Sequence, residues 1–345
     1  HWIDRMFPEG NDACQRLTPA IHTFWSGYNN MIFDPQRMDE GTCEMYAERR
    51  VLWIVDWVQR YFGTDPARSY AAGGSMGGCG CFTIALRHPE IFAAIAPNVG
   101  ITTYARGEGG DSVRRVEAYM GGMDTPCDRG IAVGQWLDAT RFVMEHDGPL
   151  PFVIMSNGRN DGSIPWGSNP PFYRAMQQRR QGLIAAWNAG THGEVLGLLP
   201  DDIRERRSFE WLHRFATELS YPAFTGCSAD DDPGDGAKDD GDPTGYVNRG
   251  LEWELVEDSP ERYELVVRWY LDTDELPVTV DVTPRRVQGF VLKPGEEVTA
   301  ITLSVDSGEQ MRSRALTADQ DGLVTIRGLR ILSPGGTRLT LTRER

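Results

Sequence analysis

The chain has 345 residues, room for two domains at roughly 100 to 200 residues each, with 40% hydrophobic and 25% charged residues. These proportions exclude a wholly disordered chain, and no apolar run reaches the ~18 residues that a membrane-spanning helix needs. Fifty acidic against 35 basic residues give a net charge of −15, a field that repels phosphate backbones, so nucleic acid is not expected as a partner.

Residue 1 is His rather than Met, which leaves room for a removed initiator, signal peptide or longer N-terminal segment. Six cysteines (Cys14, Cys43, Cys79, Cys81, Cys127, Cys227) form an even set without a CxxC pair or a zinc-binding spacing. Disulfides and a secreted, extracellular or periplasmic location are expected from them, with buried thiols of a cytosolic enzyme as the alternative. Ahead of the first clear helix there is room for about one strand, at Ala20 to Trp25. Val51, Ile54, Val55, Val58 and Phe62 recur at helical spacing, which predicts an amphipathic helix over Cys43 to Tyr61 closed by Gly63. Asp65-Pro66 makes a turn, and a short strand from Arg68 to Ala72 leads into a glycine-rich corner. Helix is predicted over Phe82 to His88 and Phe172 to Trp187, and strand over Ile91 to Pro97 and Phe152 to Ser156. This alternation indicates an α/β sheet domain.

From Ser228 to Gly245 the composition changes to seven Asp, one Lys and no large apolar residue, which cannot build a core. It reads as an interdomain linker, with a calcium loop at Asp239, Asp240 and Asp242 as the alternative, although the spacing is not that of an EF-hand. Beyond it the apolar period falls to two: Leu265, Val267, Trp269 and Leu271, then Val278, Val280 and Val282, then Ile301, Leu303 and Val305. About seven short strands suggest a β-sandwich of immunoglobulin or fibronectin type. The expected division is a catalytic α/β domain over 1–225, a linker over 226–248 and a β-sandwich over 249–345. Trp253, Tyr263, Trp269 and Tyr270 are either its core or a sugar-stacking surface.

The corner contains Gly73-x-Ser75-x-Gly77 between strand and helix, the setting of a nucleophile elbow. There the Met76 N–H, at the start of the helix, is a natural oxyanion donor. A serine hydroxyl needs a base and an orienting carboxylate. Asp161 follows the strand ending at Ser156, and His192 lies in the small-residue loop Asn188-Ala-Gly-Thr-His-Gly193, so both come in the order serine, acid, histidine. Asp147 and Asp201 are fallback acids; His1, His22, His88, His146 and His213 are less well placed as the base. Trp25, Tyr28, Trp166 and Phe172 are candidate substrate-binding aromatics, with core packing as the alternative.

The run Asp65-Pro-x-Arg68-x-Tyr70-x-x-Gly73-Gly-Ser-Met-Gly-Gly78, Arg87-His-Pro89 with Phe92-Ala-Ala94, Gly158-Arg-Asn-Asp161, and Trp187 before Gly190-x-His192 resemble secreted serine esterases. These belong to the α/β-hydrolase group that includes feruloyl and acetylxylan esterases, polyhydroxyalkanoate depolymerases and some prolyl-oligopeptidase-like hydrolases. The resemblance covers residues 44–215. It implies Ser75 as nucleophile, His192 as general base and acid, Asp161 as orienting acid and Met76 N–H in the oxyanion hole. One departure matters: only 74 residues precede Ser75 and no HGGG or HG loop is visible, so either N-terminal strands of that fold are missing from the chain or the protein builds its second, unassigned oxyanion donor differently. The expected function is an ester hydrolase acting without metal or organic cofactor on polysaccharide-linked feruloyl or acetyl esters, or on polyesters. The alternatives are a prolyl-oligopeptidase-like peptidase and a non-catalytic protein that keeps the scaffold. The oligomeric state is left open.

Overall fold

The computed structural model describes residues 25–104 and 111–343. The expected strand at Ala20 to Trp25 therefore falls outside the described residues except for Trp25, which sits in a turn. A short ribbon pairs β1 (Tyr28–Asn29) with β2 (Cys43–Glu44). Helix α1 (Tyr46–Phe62) follows and ends on Gly63 at φ +62, a left-handed C-terminal position suited to glycine. On its expected apolar face only Val51 is buried, and Phe62 is 61% exposed.

The site-bearing sheet consists of β3 (Ser69–Gly74), β4 (Phe92–Asn98), β5 (Phe152–Gly158) and β6 (Leu183–Asn188) in parallel, in that order, with β8 (Gly245–Val247) antiparallel on the outer edge of β6. Every residue of β4, β5 and β6 is buried, as parallel strands covered on both faces must be. The predicted helix over Phe172 to Trp187 divides into α3 (Asn169–Gln178) and β6. The reason is local: Arg180 takes φ +49, and Leu-Ile-Ala-Ala-Trp is a short apolar run that fits a buried strand as well as a helix. Between β3 and β4 lies α2 (Met76–Thr83), which starts directly after Ser75.

The C-terminal residues form two antiparallel sheets. One has the order β13 (Gln310–Thr317), β12 (Glu297–Ser304), β15 (Thr337–Arg343), β10 (Arg262–Trp269), β9 (Leu251–Asp258). The other has the order β14 (Ile326–Ile331), β11 (Val278–Arg285), β7 (Tyr221–Thr225). The expected boundary at 225/226 does not separate them, because β7 pairs with β11 from Tyr221↔Arg285 to Thr225↔Asp281, and β8, inside the expected linker, returns to the parallel sheet. Side chains of the parallel sheet alternate accordingly. Ile95, Val153, Met155, Ala185 and Trp187 face a core shared with Val51, Phe82 and Phe172. Ala94, Ala96, Phe152, Ile154 and Ile184 face a core shared with Trp253, Leu265, Val282 and Leu341. Trp253, Tyr263 and Trp269 are buried, which assigns them to packing; Tyr270, 38% exposed, bonds Asp202.

Two expectations need correction. The acidic stretch is not a solvated spacer: Asp230, Asp231, Asp232, Asp235, Asp240 and Asp242 all turn side-chain oxygens onto backbone N–H groups at 2.6–2.9 Å, which folds it into a tight loop. Asp240 and Asp242, read as calcium ligands, are engaged in this way, and among the described residues no group of three His, Cys, Asp or Glu could hold a metal. The five described cysteines are free and buried thiols, with burial pushing Cys43, Cys81 and Cys227 up to about 12. They act as small apolar residues, so they give no support to an oxidising compartment; Cys14 lies outside the described residues. No described helix is long and apolar enough to cross a membrane.

Arg286 fastens the two halves. Its buried guanidinium donates to the carbonyls of Ala216 (3.1 Å), Ala93 (3.2 Å), Leu150 (3.3 Å) and Pro89 (3.4 Å). Replacing it would remove the buried donor these carbonyls share, although Leu150 O keeps Tyr221 Oη at 2.7 Å and Ala216 O keeps the Leu219 N–H at 3.2 Å. Arg286→Ala is expected to lower unfolding stability by about 1–3 kcal/mol in urea titration.

A second tie lies at α1, where the buried Glu48 accepts from Arg129 at 2.6 Å and meets His88 Nε2 at 2.7 Å, while His88 Nδ1 is 2.9 Å from Glu90. Burial opposes the imidazolium, but the hydrogen bonds and charges of Glu48 and Glu90 outweigh it and raise its pKa above 6.5. Stability from this group is complete below pH 6.5 and is lost as pH rises through the raised value. The melting temperature is expected to fall as pH rises above 6.5 in the parent protein and to change less in His88→Gln.

Candidate active site

Ser75 stands between β3 and α2 with φ +53 and ψ −118, a conformation that non-glycine residues rarely adopt. Its N–H donates to Asn98 O at 2.9 Å, and its own carbonyl accepts the Cys79 N–H at 2.9 Å, so the corner is fixed from both sides. Close approach explains two of the glycines. A Cβ on Gly73 would lie 2.5 Å from the Gly77 backbone, and one on Gly78 would lie 2.6 Å from Asn98 O. Gly77 has nothing within 4 Å of where a Cβ would stand; it serves as the surface against which Gly73 packs. The first N–H groups of α2, Met76 among them, have no acceptor inside the helix and point out of its N-terminus.

Asp161 follows β5 and is 3% exposed. Its Oδ1 accepts the Ser163 and Ile164 N–H groups at 2.8 and 2.9 Å, which leaves Oδ2 to receive His192 Nδ1 at 2.7 Å. On the other side of the ring, His192 Nε2 lies 2.8 Å from Ser75 Oγ. A proton on Nδ1, held by the carboxylate, leaves the Nε2 lone pair facing the serine hydroxyl. The structure thus brings together three residues that are 86 and 31 positions apart in sequence. The imidazole side chain keeps 33% exposure, so the serine end of this row opens towards solvent.

The loops bearing acid and base are tied to each other. Arg159 N–H donates to Asn188 O at 2.8 Å and Asn160 Nδ2 to Ala189 O at 2.6 Å. Asn188 shapes the histidine loop through Nδ2 to Val195 O (3.0 Å) and Oδ1 from Gly190 N (2.9 Å). Glu194 closes that loop by accepting Thr191 N–H and Oγ–H at 2.9 and 2.6 Å, contacts that hold its carboxyl below the usual range. The sequence reading missed Asn98 and Asn188. Each is a polar residue ending an otherwise apolar strand, which is the available signal.

The four aromatics separate. Trp166 and Phe172 are 1% and 0% exposed inside the helix-side core, so they pack the domain and line no opening. Tyr28 lies in β1 with its ring 6.0 Å from that of Tyr46. Trp25 lies against Gly80, one helical turn from Met76, where a Cβ on Gly80 would be 2.6 Å from the indole. The fallback acids lie on the surface, Asp147 at 95% and Asp201 at 93% side-chain exposure.

Residues 52–191 match the family model Esterase, described as "Putative esterase", a segment that includes Ser75 and Asp161 and ends one residue before His192. It spans less than half of the chain and supports an enzyme of esterase type acting on an ester. No curated protein matches the chain. Among solved structures, the S-formylglutathione hydrolase of Agrobacterium tumefaciens is 22% identical over 49% of this chain and 53% of its own, at a TM-score of 0.34. FphF, a fluorophosphonate-binding serine hydrolase of Staphylococcus aureus, is 20% identical over 48% and 62%, at 0.35. Esterase 2 of Thermogutta terrifontis is 18% identical over 46% and 60%, at 0.33. This chain thus spans between about half and three fifths of their lengths, and likenesses of this degree carry no argument about mechanism.

The φ of Ser75 supplies a test of the corner. A non-glycine residue in such a conformation costs on the order of 1–3 kcal/mol, so Ser75→Gly is expected to unfold at a higher urea concentration than Ser75→Ala. Equal midpoints would mean that the corner stores no strain.

Proposed function

We infer that the protein is a carboxylic-ester hydrolase in which Ser75, His192 and Asp161 act as nucleophile, base and orienting acid. The observation that carries this reading is the continuous row Asp161 Oδ2 to His192 Nδ1 (2.7 Å) and His192 Nε2 to Ser75 Oγ (2.8 Å) at the start of a helix. Ser75 Oγ attacks the ester carbonyl carbon while its proton passes to His192 Nε2. Asp161 holds the imidazole tautomer and stabilises the imidazolium. The negative charge on the former carbonyl oxygen is met by the Met76 N–H. Collapse breaks the bond to the alcohol, which leaves with the proton from His192. Water then attacks the acyl-serine, giving its proton to the same imidazole, and release of the carboxylic acid returns that proton to Ser75. The reaction so written uses no metal or organic cofactor.

For the substrate, the reading takes in esters with an aromatic or small acyl group, carried on a polysaccharide or polyester among them, with Trp25, partly buried against Gly80 of α2, as the aromatic candidate nearest the serine corner in the fold. Trp166 and Phe172 are left out, being buried.

A fluorophosphonate probe followed by intact-protein mass spectrometry is expected to give one adduct, absent from Ser75→Ala. Asp161→Asn is expected to reduce kcat on p-nitrophenyl acetate about 10⁴-fold by favouring the wrong tautomer. Turnover of peptide anilides in place of esters would favour a peptidase. Undiminished ester turnover by Ser75→Ala would overturn the site.

A further inference from the structure

Arg159 is a buried cation, 4% exposed, and among the described residues no carboxylate lies within ion-pair distance of it. Its charge is met by backbone. Nη1 donates to Asp242 O at 2.6 Å, and Nη2 reaches Lys238 O and Asp240 O at 2.6 Å and Ala237 O at 3.2 Å. The face of Trp166 lies 5.4 Å from the guanidinium carbon. The acidic loop is built for this: its carboxylates are spent on its own N–H groups, so its carbonyl oxygens are free to converge on a cation.

The same loop reaches the base side of the site. Asp242 O, which accepts from Arg159, also accepts from Trp187 Nε1 at 2.7 Å. Trp187 lies on β6, five residues before His192, and Arg159 lies two residues before Asp161. One carbonyl therefore ties the strand that delivers the acid to the strand that delivers the base. This tie lies on the side-chain face of the two loops, while Arg159 N to Asn188 O ties them through backbone.

We propose that Arg159 is a positioning residue: its guanidinium folds the 232–242 loop around itself and through that loop fixes the separation of Asp161 and His192. The inference rests on the reading of those two residues with Ser75 as a catalytic triad. Lysine cannot replace it, since an ammonium is a compact charge without the planar fork that spans four carbonyl oxygens.

The test compares the full chain with Arg159→Ala and Arg159→Lys in three measurements: kcat and KM on p-nitrophenyl acetate, the low-field proton NMR resonance of the His192 Nδ1–H bonded to Asp161, and recovery on adding methylguanidinium. Misplacement of about 1 Å can cost on the order of 10²-fold in rate. Arg159→Ala is expected to lose roughly 10- to 100-fold in kcat with little change in KM. Its Nδ1–H resonance should shift or broaden. Methylguanidinium should restore both in Arg159→Ala, methylammonium should restore neither, and Arg159→Lys should resemble Arg159→Ala. A folded Arg159→Ala with unchanged kcat and resonance overturns the proposal. So does a loss of kcat with the resonance unmoved, or a loss that methylguanidinium does not relieve. If Arg159→Ala fails to fold, Arg159→Lys decides by the same resonance and the same kcat. Should the parent protein turn over no ester, the proposed function fails, and the resonance still decides whether Arg159 positions the pair.

Discussion

A parallel sheet presents apolar side chains on both faces and is stable only when both are covered. Here that constraint organises the molecule. Helices α1, α2 and α3 cover one face, while the antiparallel C-terminal sheets cover the other. Covering both faces leaves the C-terminal ends of β3, β5 and β6 as the places where polar residues can emerge, and Ser75, Asp161 and His192 all follow those ends. The site is thus a by-product of where the sheet must stop being apolar.

The polar interior is arranged by the same economy. Buried guanidinium groups, at Arg159 and Arg286, are matched by carbonyl oxygens at loops and strand ends and not by carboxylates. Several of the carboxylates that could have paired with them are held on backbone N–H groups of the acidic loop. Each of these carboxylate contacts gives a loop N–H a partner within the chain and so shapes the turn. A chain with net charge −15 can therefore pack part of its excess acid into turn structure.

Much of the site was legible because its residues are punctuated by glycine, asparagine and polar loops at the ends of apolar runs. The serine corner, the acid loop after β5 and the histidine loop after β6 were all read from such breaks, and the structure joins those residues by hydrogen bonds. What the sequence concealed was long-range. Nothing in Tyr221–Thr225 announces that it will pair with Val278–Arg285, since register across about 60 residues leaves no local pattern. The acidic stretch looked unable to pack because composition counts side chains, whereas its carbonyls do the packing. Trp166 and Phe172 looked like walls of a pocket because they flank the acid loop in sequence, but they lie on a helical turn and the helix after it, which bury them in the core. The cysteines, even in number, said nothing about pairing once all five described ones proved to be core residues.

The crossing of β7 and β8 between the two halves bears on how such a protein can change over time. A β domain appended through a flexible joint is a cassette that recombination can exchange, leaving the rest of a chain intact. Here a splice after residue 225 would remove β8 from the edge of the parallel sheet, detach the loop around Arg159 and strip the cover from Phe152 and Ile154, all in one event. The C-terminal half is therefore not separable from the parallel sheet without exposing that sheet's edge and one of its faces.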